Sequence, residues 1–168
     1  SAWFDGARQN QLDARVPPWD RRIDLLVLTH PHEDHVAGLA LLLERYRVGR
    51  VFAPEMIGPG PGYRAWLAAL ERLGIRPVSL STGDTFGLDA IGFRVLWPDP
   101  GTVPRQPADG GTAINNVSIV LLGTVGRQRL LLTGDIEEGI DPILLARGLP
   151  RLDLLKVAHH GSRTAATG

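Results

Sequence analysis

Thr29-His30-Pro31-His32-Glu33-Asp34-His35 sets three imidazoles and the Asp34 carboxylate within six residues. Packing does not call for such a run, because histidine and acidic side chains are mostly surface or functional, and a buried charge needs a partner or a metal. The run follows Ile23-Asp24-Leu25-Leu26-Val27-Leu28, a short apolar stretch of strand length, and precedes Val36 to Leu43, which reads as a helix. The cluster therefore sits at a strand-to-helix junction.

Working outward, a chain of 168 residues has the length of one ordinary domain, and residues 1–168 are taken as one. Hydrophobic residues make up 43% and charged residues 21%, with no run long enough to span a bilayer and no signal-peptide pattern, so the chain as it stands is expected to be a soluble domain. It contains no cysteine, which excludes disulfide partners and thiolate ligands and leaves nitrogen and oxygen to hold any metal. Eighteen basic side chains balance eighteen acidic ones, so net charge supplies no general pull on nucleic acid. All five histidines (His30, His32, His35, His159, His160) fall in two short clusters, which points to imidazole chemistry rather than packing.

Alternating strands and helices make the chain α/β. Strands are expected at residues 23–29, Arg50 to Pro54, Arg76 to Leu80, Gly92 to Trp97, Asn116 to Thr124, Gln128 to Thr133 and Leu152 to Ala158. A short strand is also expected at Trp3-Phe4. Helices are expected over Val36 to Leu43 and onward to Tyr46, and over Tyr63 to Leu73 with Trp66, Leu67, Leu70 and Leu73 buried and Gly74 as C-cap. A third helix opens at Asp141-Pro142, with Asp141 as N-cap, and stops at Gly148. Ser81-Thr82-Gly83-Asp84 and Gly87-Leu88-Asp89 read as turns, and Pro98 to Ala113 as loop. The tight Val125-Gly126-Arg127 link makes a hairpin, so the sheet is mixed.

In extended backbone, residues at i and i+2 point the same way, so His30 and His32 can meet one metal while Asp34 and His35 face a second. That division suits a two-metal hydrolytic site with ions about 3.5–4 Å apart. Such a site needs a bridging carboxylate, and Asp135 stands after a glycine at the end of the apolar strand Leu130-Leu131-Leu132. His159 or His160, at the end of the last strand, completes the second shell, because neighbouring strand exits converge at one sheet edge. The other histidine of the pair is left to orient or protonate substrate.

These motifs resemble the metallo-β-lactamase superfamily, and within it the hydrolase domain at the C-terminal end of the ComEC family of bacterial DNA-uptake channels. The resemblance is carried by Asp5-Gly6, Thr29 to His35, Asn115-Asn116-Val117-Ser118, Leu131 to Glu137 and Leu155 to Ser162. It implies an αββα sandwich with mixed sheets, trimmed at both ends, that forms part of a larger bacterial plasma-membrane protein. The pattern has no histidine between His35 and His159, where many relatives supply a third imidazole. Asn115, Asn116, Thr112 or water is left to fill that place, and an oxygen-richer shell favours two exchangeable ions, Mn²⁺ ahead of Zn²⁺ or Mg²⁺.

The function so implied is a nuclease of natural transformation, which degrades the DNA strand that is not transported. Water activated by two divalent ions attacks the phosphodiester, with Asp34, Asp135 and His160 as catalytic residues and His30, His32, Asp34, His35, Asp135, His159 and His160 as metal ligands. Asn115, Asn116, Ser162 and Arg163 are candidates for contact with the DNA. Partners are DNA, single strands above all, and the channel and other domains of the same protein. Two alternatives keep the motifs. One is a hydrolase of a small ester, lactone or phosphocholine, which a closed apolar pocket would favour over an arginine-lined groove. The other is a metal-bearing DNA-binding module without catalysis.

Overall fold

The computed structural model describes residues 19–162. The expected Trp3-Phe4 strand, Asp5-Gly6 and Arg163 lie outside them. Two sheets face one another. The first is two-stranded and parallel, β1 (Arg22–Val27) beside β2 (Arg47–Phe52). Helix α1 (Glu33–Arg45) connects them, and α2 (Pro61–Leu73) packs beside α1 on the same face. The second sheet is five-stranded in the order β3 (Thr85–Leu88), β4 (Ile91–Trp97), β5 (Val120–Val125), β6 (Gln128–Leu132), β7 (Leu154–Lys156). All its pairings are antiparallel except β6 with β7, which is parallel. Two short helices, α3 (Thr112–Asn115) and α4 (Asp141–Ala146), complete the set, and a 3₁₀ turn spans Ala158–Gly161.

Strand periodicity builds the layers. Along the first strand and its exit, Leu26 and Leu28 turn toward the helices, where they pack with Val36, Leu43, Trp66 and Leu70. Leu25 and Val27 turn the other way and meet Val95, Leu121 and Leu132 of the second sheet and Ile119, just before β5. On the far face of that sheet Leu96, Val120, Leu122 and Leu131 pack against Ile136, Ile140 and Leu144. The result is helices, sheet, sheet, helix: the expected αββα order, produced by period-two alternation in strands covered on both faces.

Several local expectations are corrected. Arg76 to Leu80 forms a single bridge, Phe52 with Val78, and not a strand, since Pro77 has no N–H for a ladder. Residues Thr85 to Leu88, read partly as turn, form β3, with the reversal placed at Asp89, whose φ is 49°. The strand expected from Asn116 begins at Val120, because Thr112 to Asn115 coil into a helical turn. In α2, Leu67 and Leu73 are exposed, and Tyr63 and Ala69 are buried beside Trp66 and Leu70, so the buried face lies about one position round from the expected one. The last strand shrinks to Leu154–Lys156. Ile140, not Asp141, caps α4. Gly74 ends α2 in the left-handed region, as expected.

Candidate metal centre

The centre collects at one end of the two sheets, where four segments meet: the β1–α1 junction, the approach to β5, the exit of β6 and the exit of β7. A backbone bond from Ile119 N–H to the Thr29 carbonyl, at 3.0 Å, ties the first junction to the second sheet. Glu33, the first of the two acids in the opening run, is used structurally, its carboxylate accepting the Gly62 N–H at 2.8 and 3.1 Å and so tying α1 to the start of α2.

Three imidazoles converge on the carboxylate of Asp135. Its Oδ2 lies 3.1 Å from His35 Nε2, 3.3 Å from His160 Nε2 and 4.0 Å from His30 Nε2. Asp34 Oδ2 is 3.6 Å from His35 Nε2, and its Oδ1 is 3.7 Å from His32 Nδ1. The donor atoms thus fall into two overlapping groups, His30 with His35 and Asp135, and Asp34 with His35 and His160. This differs from the expected division: His30 pairs with His35, their ring centroids 4.2 Å apart, more closely than with His32 at 5.9 Å. The turn of α1 brings His35 back over His30, whereas His32 still has extended backbone and points to the rim. There its Nε2–H donates to the Gly110 carbonyl at 3.1 Å, which leaves Nδ1 toward Asp34. The Asp109 carboxylate shapes that loop by accepting the N–H groups of Gly111 and Ala113, which hold it below the usual carboxylate range.

The electrostatics suit cation binding. His30 has no exposed surface, and its burial, with the His35 ring beside it, lowers its pKa to about 3, so the ring is neutral. Burial opposes the charge on Asp135, but the His35 ring against it, with His30 and His160 nearby, holds the carboxyl well below its ordinary range. His30 Nε2, His35 Nε2 and Asp135 Oδ1 are buried without a hydrogen-bond partner. Buried polar atoms are normally satisfied, and a pair of imidazoles around a carboxylate is a nitrogen-and-oxygen set for a divalent ion. The residues present fit such an ion.

Of the remaining candidates, His159 stands with its Nδ1 3.7 Å from Glu137 rather than against Asp135. Both histidines adopt positive φ, 43° and 55°, a backbone state rare outside glycine that recurs at functional sites. Asn115 Nδ2 donates to Glu137 at 2.8 Å, and Asn116 Oδ1 accepts the Glu137 N–H at 2.8 Å, so the side chains of both asparagines are engaged by one residue. Thr112 Oγ1 donates to the same carboxylate. Ser162 lies on the exposed side of the His159-His160 turn. Sequence reasoning missed Glu137, although its place two residues after Asp135 was a signal. It also missed Lys156, whose Nζ donates to the Gly134 carbonyl at 2.8 Å and lies 3.5 Å from Asp135 Oδ1.

A profile of the metallo-β-lactamase superfamily matches residues 18–168. The chain belongs to the metallo-β-lactamase superfamily. Members of this fold hold divalent metal ions, often as pairs, and the superfamily supports a metal-dependent hydrolase. The chain is 31% identical over 144 residues to ComE operon protein 3 of Bacillus subtilis (strain 168), a match covering 85% of this chain and 18% of that protein. It is 28% identical over 171 residues to Recombination protein 2 of Haemophilus influenzae, covering 99% of this chain and 18% of the relative. This metallo-β-lactamase domain therefore spans under a fifth of the length of those relatives. Among solved structures, CmlA, a diiron beta-hydroxylase from Streptomyces venezuelae, shares the fold with a TM-score of 0.51 and 24% identity over 85% of this chain and 26% of the other.

A cleft of about 520 Å³ adjoins the centre. His35, Asp135, Lys156 and His160 form one end of it, and Leu25, Leu88, Phe86 and Phe93 contribute apolar walls. Among the described residues no arginine lines it. No helix of the described residues is long and apolar enough to cross a membrane.

Proposed function

We propose that this chain is a metal-dependent phosphodiesterase that degrades DNA as part of a DNA-uptake system. The observation that carries the reading is the convergence of three imidazoles on Asp135, two of them from a segment a hundred residues or more upstream, in a chain whose relatives are of the ComEC family. His30, His32, Asp34, His35, Asp135 and His160 would hold two divalent ions. When bound, such ions supply Lewis acidity toward a phosphoryl oxygen and a water of lowered pKa.

The chain's own residues do the rest. Lys156 places a positive charge at the end of the cleft, where the non-bridging oxygens of a phosphodiester would lie. The apolar walls exclude water and seat a base or sugar face. His159, whose Nδ1 lies 3.7 Å from Glu137 at the rim, would protonate the leaving oxygen. By the same reading the domain belongs to a membrane-associated protein that works beside a channel, and Mn²⁺ suits a shell that includes two carboxylates.

The apolar cleft favours a second reading, hydrolysis of a small ester or lactone with a hydrophobic group. The fold also carries a diiron hydroxylase, so the fold alone does not fix the reaction. The test is to strip the protein of metal, add back Mn²⁺, Mg²⁺ or Zn²⁺ singly, and supply single-stranded DNA, double-stranded DNA and an aryl ester in parallel. DNA fragments that appear only with metal and vanish in Asp34→Ala support the nuclease. Ester cleavage with intact DNA supports the second reading and sinks the first.

A further inference from the structure

Ser118 sits between the Asn115 turn and β5 with no exposed surface. Its hydroxyl touches both loops that carry the buried ligands. Asp135 N–H donates to Ser118 Oγ at 3.0 Å, and the same oxygen is 3.0 Å from His30 Nδ1. The approach is close enough to dictate the residue opposite: a Cβ on Gly134 would stand 2.6 Å from Ser118 Cβ.

A serine hydroxyl has one hydrogen and two lone pairs, and Asp135 N–H uses one lone pair. Two arrangements toward His30 remain. In the first, His30 Nδ1–H donates to the second lone pair, and Nε2 turns a free lone pair into the space shared with His35 and Asp135. In the second, the hydroxyl donates to Nδ1, and Nε2 carries a hydrogen. That hydrogen would be buried with no hydrogen-bond partner, since the neighbouring carboxylate oxygen, Asp135 Oδ2, is 4.0 Å away. Orphaned buried N–H groups are rare, whereas an imidazole lone pair facing a carboxylate across a gap is satisfied when a cation fills the gap.

We propose that Ser118 is a positioning residue of the metal centre, its Oγ accepting both Asp135 N–H and His30 Nδ1–H, so that one side chain fixes the tautomer of His30 and the place of Asp135 together. This rests on the metal-centre reading. Thr29 Oγ1 also lies 3.0 Å from His30 Nδ1, but it belongs to the residue beside His30 and links no second loop. Ser118 spans the two segments, 88 residues from one ligand and 17 from the other, and among the described residues no other side chain hydrogen-bonds both. Ligand-orienting contacts of this kind are worth 10- to 100-fold in metal affinity, roughly.

Two measurements on the full 168-residue chain decide it. Long-range ¹H–¹⁵N spectra of the metal-free protein at neutral pH read the His30 tautomer directly, and the expected result is the Nδ1–H form. Competition titration with Mn²⁺ and Zn²⁺ then compares variants. Ser118→Ala should bind about 10- to 100-fold more weakly. Ser118→Cys, which keeps a weak acceptor, should recover part of the loss, and Thr29→Val should lose much less than Ser118→Ala. An Nε2–H tautomer in the wild type overturns the proposal, as does a folded Ser118→Ala that binds like wild type. Should the alanine variant not fold, the wild-type tautomer and the cysteine variant still decide. A wild type that takes up no cation defeats the metal reading, and the tautomer, measured without metal, still answers for Ser118.

Discussion

At the residue scale, three imidazole nitrogens lie within 4.0 Å of one oxygen of Asp135, and no other carboxylate among the described residues is so surrounded. Asp135→Ala leaves the imidazoles without their common anion and should lower metal affinity by two orders of magnitude or about that, by titration, while the chain stays folded. The same neighbours set a pH dependence. His30 falls from its ordinary 6.5 to about 3, so between those values the unfolded chain binds a proton that the folded chain refuses. Stability of the metal-free protein is therefore full above about 6.5 and declines as pH falls toward 3, by at most about 1.4 kcal/mol per pH unit. Asp135, also held below its unfolded value, adds to the loss under about pH 4. Denaturant melts at pH 7, 5.5 and 4.5 should show the decline, and His30→Asn should flatten it; an unchanged slope would contradict the burial account. The histidine and aspartate types and their clustering were legible in the sequence. Which imidazole meets which was not, because the helix begins at Glu33 and its first turn swings His35 over His30.

At the element scale, the strands that build the site were readable where apolar alternation is strong. They were misread where a proline or a turn residue competes, as at Pro77 and at Asp89. The helical turn Thr112–Asn115 escaped because four residues are too few to show a period. Gly134 shows how an element's end can depend on one residue. Its φ is 58°, and an added Cβ would meet Ser118 at 2.6 Å. Gly134→Ala should cost more than about 1 kcal/mol and weaken metal binding in step, as thermal melts and titration together would show. Trp66→Ala, in the helix-facing core, should cost about 3–5 kcal/mol with metal affinity per folded molecule retained. Equal loss of affinity in both variants would mean that the site does not depend on the Gly134 turn specifically.

At the scale of the whole molecule, the two sheets hold their inner faces together through Val95, Ile119 and Leu121, and this core is what brings Thr29 to His35 beside the exits of β6 and β7. The α/β class and the αββα order follow from sequence pattern and resemblance. The cleft does not, since it is made by side chains of both sheets, distant in sequence. Its single lysine makes a further prediction. With Lys156 the cation engaged, the logarithm of single-stranded DNA affinity should fall with the logarithm of salt at a slope of about −0.7, and Lys156→Met should abolish the dependence. A slope several times steeper would place DNA on the arginine-bearing outer surface instead. The central claim is that Asp135 organises a two-ion centre, and the most direct measurement is the stoichiometry of Mn²⁺ bound to metal-stripped protein by calorimetric titration. The account predicts two ions per chain in the wild type and no tight binding in Asp135→Ala; wild-type binding of no ion, or unaltered binding in the variant, would contradict it.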